Sequence, residues 1–221
     1  FRINDDNNIN INTQDYASWT FRKSEKFFDC VTYTGDGASS HTISHNLNNT
    51  VGFIVTKRTD STSNWAAWHH SLGNDHRLFL NATSSSSSST TRIRSATTTT
   101  FTVGAGGDAN ASGATYVAYL FAHNNSDGTF GPDADQDIIK CGSWDSVEDQ
   151  AVTINLGFEP QFVMVKRSDG TGNWRVFDNI RGLTMGDDEE LRWNTSDAAV
   201  TSADILDPTA TGFSSTLANG S

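Results

Sequence analysis

Cysteine is scarce in this chain, and long apolar runs are missing. The two cysteines, Cys30 and Cys141, allow one disulfide at most. No apolar run approaches the roughly 20 residues of a membrane-spanning helix, so no membrane insertion is predicted. Positive charge is also short: 15 Lys and Arg stand against 26 Asp and Glu, a net charge of −11. Such a chain repels phosphate backbones, which argues against nucleic acid as a partner. Charged residues reach 19% and hydrophobic ones 35% of 221 residues, both modest for a globular chain. Gly-x-Ser-x-Gly, His-Glu-x-x-His and Walker sequences are absent. No signal-peptide pattern opens the chain, and its first residues, FRINDDNNININ, read as the middle of a longer polypeptide.

Ser, Thr, Asn, Gly and Asp fill the space left by these shortages. Their side chains compete for nearby backbone groups, which favours turns and exposed strand faces over helices. Apolar volume is concentrated in 13 Phe and 6 Trp, which suits thin β layers. The only segment with room for a short helical turn is GLTMGDDEELR, residues 182–192.

The chain also repeats itself. FIVTKRTDSTSNW, residues 53–65, returns as FVMVKRSDGTGNW, residues 162–174, with seven of thirteen positions identical. Each copy reads as an apolar strand, a polar turn and a returning strand, that is, a hairpin. Flanking pieces match as well and pair Leu47 with Leu156, Asn81 with Asn194, and Phe101 with Phe213. Cys30 and Cys141 each precede an aromatic residue by three positions, which places them equivalently and favours two buried thiols over a bridge.

Short strands with turn signals every eight to twelve residues predict an all-β protein: two tandem antiparallel β-sandwich, jelly-roll-like domains related by internal duplication. The expected boundaries are residues 1–20 as an incoming segment, 21–122 as the first repeat, 123–137 as a linker or long ordered loop, and 138–221 as the second repeat. The run of six serines, residues 84–89, reads as a solvated loop. Trp65 and Trp174 are the expected core anchors of their respective repeats. The second copy has no counterpart of the strong strand at residues 116–121, so it should expose an unpaired edge. Sequence beyond the chain or a neighbouring subunit would supply the missing strand.

Candidate chemistry is sparse. Asp133, Asp135 and Asp137 alternate like the start of a calcium loop, but Ile138 and Trp144 stand where an EF-hand needs Gly and Glu. Calcium is the only cofactor suggested, against a plain acidic loop. His69, His70, Asp75 and His76 crowd together in sequence, but adjacent strand residues point to opposite faces and would not share an ion. The consecutive acids of residues 187–190 could hold a carboxylate pair or simply be solvated. Lys57, Arg58, Lys166 and Arg167 stand where strands leave the core; they could bind an acidic glycan or pair with Asp60 and Asp169. Trp68 and Phe177 could stack on a sugar face or pack in a core. The glycine cluster of residues 103–113 lacks the following helix of a dinucleotide site and reads as a hairpin loop.

The segments YASWTFRKSEKFFDCVTYTGDG, the two VKR-x-D-x-T-x-NW elements, NASGATYVAYLFAHN and IIKCGSWD, taken in order, resemble a repeated domain of virion structural proteins from marine tailed bacteriophages. The resemblance covers the chain from about Tyr16 onward. It implies a non-enzymatic structural protein of the virion surface: a tail fibre or tail-tip adhesin, assembled with other virion proteins and its own copies as a homo-oligomer, touching a host surface glycan or protein. A capsid or tail decoration module, a bacterial surface adhesin and a glycan-depolymerising domain are the alternatives. The serine run and the absent closing strand depart from the family pattern.

Overall fold

The computed structural model describes residues 9, 11–147 and 150–215. The protein is all-β and antiparallel, with one short 3₁₀ turn among the described residues, at His70–Leu72. Among the described residues no helix is long and apolar enough to cross a membrane. The first repeat contributes β1 (Phe28–Thr34), β2 (His41–Ser44), β3 (Val51–Arg58), β4 (Trp65–His69), β5 (His76–Phe79), β6 (Ser87–Ser88), β7 (Ile93–Ala96), β8 (Thr100–Val103) and β9 (Thr115–Ala122). The second contributes β10 (Val152–Asn155), β11 (Phe162–Lys166), β12 (Trp174–Asp178), β13 (Asp188–Arg192), β14 (Val200–Ala203), β15 (Leu206–Thr209) and β16 (Gly212–Ser215).

Among the described residues four sheets form: β1-β9-β3-β4-β5-β6, β2-β8-β7, β11-β12-β13-β14 and β10-β16-β15. Three apolar clusters order them in space. Ile43, Phe101 and Val103 of the β2-β8-β7 sheet meet Ile54, Trp68 and Leu120 of the six-stranded sheet. The other face of that large sheet, through Phe53, Val55, Ala67 and Leu78, packs on Trp174, Met164 and Trp193 of the second repeat. Val163 and Phe177 then face Leu206, Phe213 and Ile154 of the last sheet. The result is a stack of four β layers with three apolar seams. Strand alternation produces it: Phe53 and Val55 point one way from β3, Val51 and Ile54 the other, with Gly52 at a register shift between them.

The duplication is visible atom by atom. Lys57 faces Trp65 across one hairpin, and Lys166 faces Trp174 across the other. The amide of Trp65 donates to Asn81 Oδ1 at 2.9 Å, and that of Trp174 to Asn194 Oδ1 at 2.7 Å. Asn81 and Asn194 in turn donate to Asn64 and Asn173 at the ends of their turns. Ile43 pairs with Phe101, and Ile154 with Phe213.

Several expectations need correction. Trp65 and Trp174 do not anchor separate cores; both belong to the central seam between the repeats, Trp174 buried and Trp65 half-buried against Tyr119. Of the two readings of residues 123–137, the long ordered loop holds and the linker does not. Asn124 is fully buried, donates to the carbonyl of Lys26 and accepts the amide of Ile138, while Phe130 meets Phe27. The incoming segment also packs: Trp19 lies against Phe162, Trp193 and the Arg181 guanidinium. The serine run contains β6 and reaches the second repeat, since the amide of Ser86 donates to the Ser168 carbonyl at 2.8 Å. Residues 188–192 form β13 rather than a helical turn.

Candidate functional site

At one end of the first sandwich three connections converge: the approach to β3 at Thr50, the 3₁₀ turn after β4, and the β7–β8 turn at residues 97–99. Between them lies an open cleft of about 250 Å³ lined by Thr50, Trp68, His70, Asn74, Thr97 and Thr98, among others. Trp68 is itself buried, and its indole N–H donates to the Gly73 carbonyl at 2.9 Å, so only its edge reaches the cleft. Thr97 folds its own turn: its hydroxyl oxygen accepts the amides of Thr99 and Thr100. The lining mixes the polar groups of Thr50, Thr97, Thr98, Asn74 and His70 with the apolar side chains of Val51, Ala96 and Trp68.

Beside the cleft three imidazoles lie in a row, each tilted against the next. The rings of His70 and His123 lie 4.5 Å apart, and those of His69 and His70 5.1 Å apart. Adjacent histidines meet because the strand ends at His69 and the chain then enters a 3₁₀ turn. The strand period stops at His69 and does not place His70, and nothing in the local sequence announces His123, which follows the last residue of β9. Hydrogen bonds set the tautomers. His70 Nε2 donates to the Cys141 carbonyl at 2.7 Å, and His123 Nδ1 accepts the Cys141 amide at 3.2 Å. His69 Nδ1 accepts the amide of Ser71. Burial, followed by the neighbouring imidazoles His70 and His123, pushes His69 down to about 4. His123 is lowered too, first by burial and then by His70 and Lys140. These rings clamp the connector that leads into the second repeat.

The other sequence candidates lie elsewhere. Phe177 is buried between the second repeat's layers, so neither it nor Trp68 presents a face for a sugar. Lys57 reaches the Ser63 carbonyl at 2.5 Å and lies over the Trp65 ring. Arg58 pairs with Asp60 at 2.6 Å, and Arg167 with Asp169 at 2.8 Å. Lys166 donates to the carbonyls of Thr83 and Arg167. The four cations are thus spread over two turns and engaged by them. Asp75 pairs with Arg94, and His76 starts β5, so the HHSLGNDH cluster does not gather around one point. Asp137 accepts the amides of Ser126 and Gly128, whereas Asp133 and Asp135 face solvent. Among the described residues no group of three or more His, Cys, Asp or Glu could hold a metal ion.

The acids of β13 are structural. Asp188 is fully buried and accepts the amides of Ile205 and Leu206. Glu190, 1% exposed, pairs with Arg175 and Arg192 at 2.9 and 2.7 Å. Both cysteines are free thiols. They are not equivalent: Cys30 lies in β1, whereas Cys141 lies outside any strand and sits against Gly52. Burial pushes the Cys141 thiol up to about 12 and raises Cys30 as well, so neither is a ready nucleophile.

Comparison with curated proteins and with solved structures gives no match. A family does match: over residues 1–221 the chain belongs to the family described as a domain of unknown function, DUF7483.

Proposed function

We propose that this member of the DUF7483 family is a non-enzymatic structural module of a tailed-bacteriophage virion, acting in a tail fibre or tail tip, with the cleft end of its first sandwich turned toward the host surface. The observation that carries the reading is the stacking of the two repeats through their duplicated Trp hairpins. Four layers joined by three apolar seams make one stiff body rather than two beads on a string, and stiffness is what a spacer or fibre segment requires. The order of motifs along the chain, which resembles the virion family, supports the same reading.

The cleft suggests the ligand. The Thr, Asn and His side chains of the lining suit the hydroxyl groups of a neutral glycan, whereas the chain's −11 charge disfavours an acidic one. The test is competition: purified chain is added to host cells before phage, and adsorption is measured. Blocked adsorption that Asn74→Ala and Thr98→Ala reverse supports the adhesin. Unchanged adsorption, with labelled antibody decorating the capsid or tail tube, favours a decoration module instead. Release of reducing ends from host polysaccharide would make the domain a depolymerase.

A further inference from the structure

The connector between the repeats is fastened to the first repeat in two ways. One carries no titratable group. The amide of Asn124 donates to the Ile139 carbonyl at 3.0 Å, and Asn124 Oδ1 accepts the amides of Ile138 and Ile139 at 3.2 and 3.4 Å. The other is at Cys141, whose peptide groups are held by two imidazoles. Its carbonyl accepts from His70 Nε2, and its amide donates to His123 Nδ1. Among the described residues, Cys141 is the last connector position with a hydrogen bond to the first repeat. Beyond it the path is open. A Cβ on Gly142 would meet nothing within 4 Å, and Trp144 already packs edge-on against Phe213 of the second repeat, with ring centroids 5.7 Å apart.

A neutral imidazole has one protonated and one bare nitrogen. His123 Nδ1 accepts the Cys141 amide, so the ring's proton sits on Nε2 and a second proton can go only to Nδ1. There it would face the Cys141 N–H, donor against donor. His69 is in the same state: its Nδ1 accepts the Ser71 amide at 3.2 Å and so caps the 3₁₀ turn. Few other groups face these rings. Phe53 lies against His69, with 6.3 Å between ring centroids. His70 lies between His69 and His123. Burial, then His70 and Lys140, lowers His123 below the ordinary histidine value, and Asp127 acts against them. The Cys141 thiol, pushed up to about 12 by burial, stays neutral throughout.

We propose that His123 is a proton-operated latch on the connector: a proton at Nδ1 ejects the Cys141 amide, and the connector slackens between Asn124 and Trp144 while both sandwiches stay folded. His69 acts alike on the 3₁₀ turn, where a proton at Nδ1 ejects the Ser71 amide. The latch is closed while the ring is neutral. It opens as pH falls through the folded-state value of His123, which lies below the ordinary value of about 6.5. The central seam, which sets Phe53 against Trp174, is apolar and does not titrate, so acid slackens the joint without parting the repeats. The turn that His69 caps carries His70, which lines the cleft, so the same protons reach the cleft wall. The latch works whatever the cleft holds.

The test is nuclear magnetic resonance of the whole isotope-labelled chain, titrated from about pH 8 to about pH 4 across the histidine range. The Cys141 amide resonance should move with the same midpoint as the His123 ring. Its hydrogen-exchange protection should fall about tenfold across that midpoint, as loss of one hydrogen bond allows, while the Asn124 amide keeps its protection. His123→Asn places an oxygen near the position of Nδ1, keeps an acceptor and takes up no proton, so Cys141 protection should there be independent of pH. Should that variant not fold, the two midpoints in the parent protein still decide. A His123 ring that takes up no proton in this range, a Cys141 amide that stays protected while the ring titrates, unequal midpoints, equal losses at Cys141 and Asn124, or the same loss in His123→Asn would each overturn the proposal.

Discussion

The indole N–H of Trp174 donates to the carbonyl oxygen of Phe79 at 2.9 Å, joining the second repeat's hairpin to the first repeat's β5. Its ring also lies 5.9 Å from that of Phe53. Trp65 holds the equivalent place on its own hairpin but stacks instead on Tyr119, a neighbour within its own sheet. Two residues equivalent in sequence thus carry unequal burial.

Unequal burial predicts unequal cost. Trp174→Ala should lose about 3–5 kcal/mol, the range for emptying a packed aromatic site. Trp65→Ala, removing a half-exposed ring, should lose about 1–2 kcal/mol by area. Urea unfolding monitored by circular dichroism measures both. Equal losses would mean that the central seam treats the two rings alike.

Gly52 is the second point where the repeats lock. A Cβ there would lie 2.6 Å from both Cβ and Sγ of Cys141 and 3.0 Å from Cβ of His123. Gly52→Ala should therefore push the connector away and cost about 1–3 kcal/mol, as overpacking does. In the parent protein a thiol reagent should modify Cys141 very slowly, because burial keeps it protonated. In Gly52→Ala that rate should rise several-fold. An unchanged rate would show that Cys141 does not depend on the β3 bulge.

The asparagine clamps should be interchangeable in kind. Asn81→Ala and Asn194→Ala each remove an acceptor for a tryptophan amide and a donor to the preceding turn. Each should cost about 1–2 kcal/mol, given a net value near 1 kcal/mol per hydrogen bond. The two changes are distant enough that the double variant should lose the sum. A double variant that loses no more than either single one would show that only one clamp supports the stack.

Fold class and duplication were legible because both rest on local pattern: strand alternation, turn residues and a repeated hairpin. The pairings of Asn81 with Asn194 and Phe101 with Phe213 come from the same signal. What escaped was how the repeats meet. Phe53 and Val55 look like ordinary core residues, and nothing local says that both faces of β3 are covered, one by the partner repeat. Cys141 looked equivalent to Cys30 by its spacing to an aromatic. A strand, however, needs a neighbour. β1 pairs along its whole length with β9, and without a described counterpart of β9 the residues around Cys141 remain outside any sheet. Trp68 and Phe177 could not be sorted into surface or core by residue type. The histidine cluster was hidden because its third member arrives through tertiary structure.

That histidine cluster gives the protein an acid-sensitive margin. An unfolded histidine titrates near 6.5, whereas folded His69 stays neutral down to about 4 because it is buried beside two other imidazoles. Below pH 6.5 the unfolded chain therefore takes up a proton that the folded chain refuses, and stability falls. The loss continues to about pH 4 and then levels, reaching on the order of 3 kcal/mol for a separation of this size. His123 and His45, both lowered first by burial, act with the same sign, though Asp127 and Asp29 nearby temper them. The ion-paired Asp60 and Asp169 have lowered values, so their contribution is present above the ordinary carboxylate range and is lost only below it, outside this window. Asp188, raised by burial, works the other way and regains stability on protonation. Urea midpoints should thus fall between pH 6.5 and pH 4 in the parent protein. His69→Asn keeps an acceptor for the Ser71 amide and removes the titration, so its midpoints should fall less steeply. Parallel slopes in the two proteins would place the acid sensitivity outside the cluster.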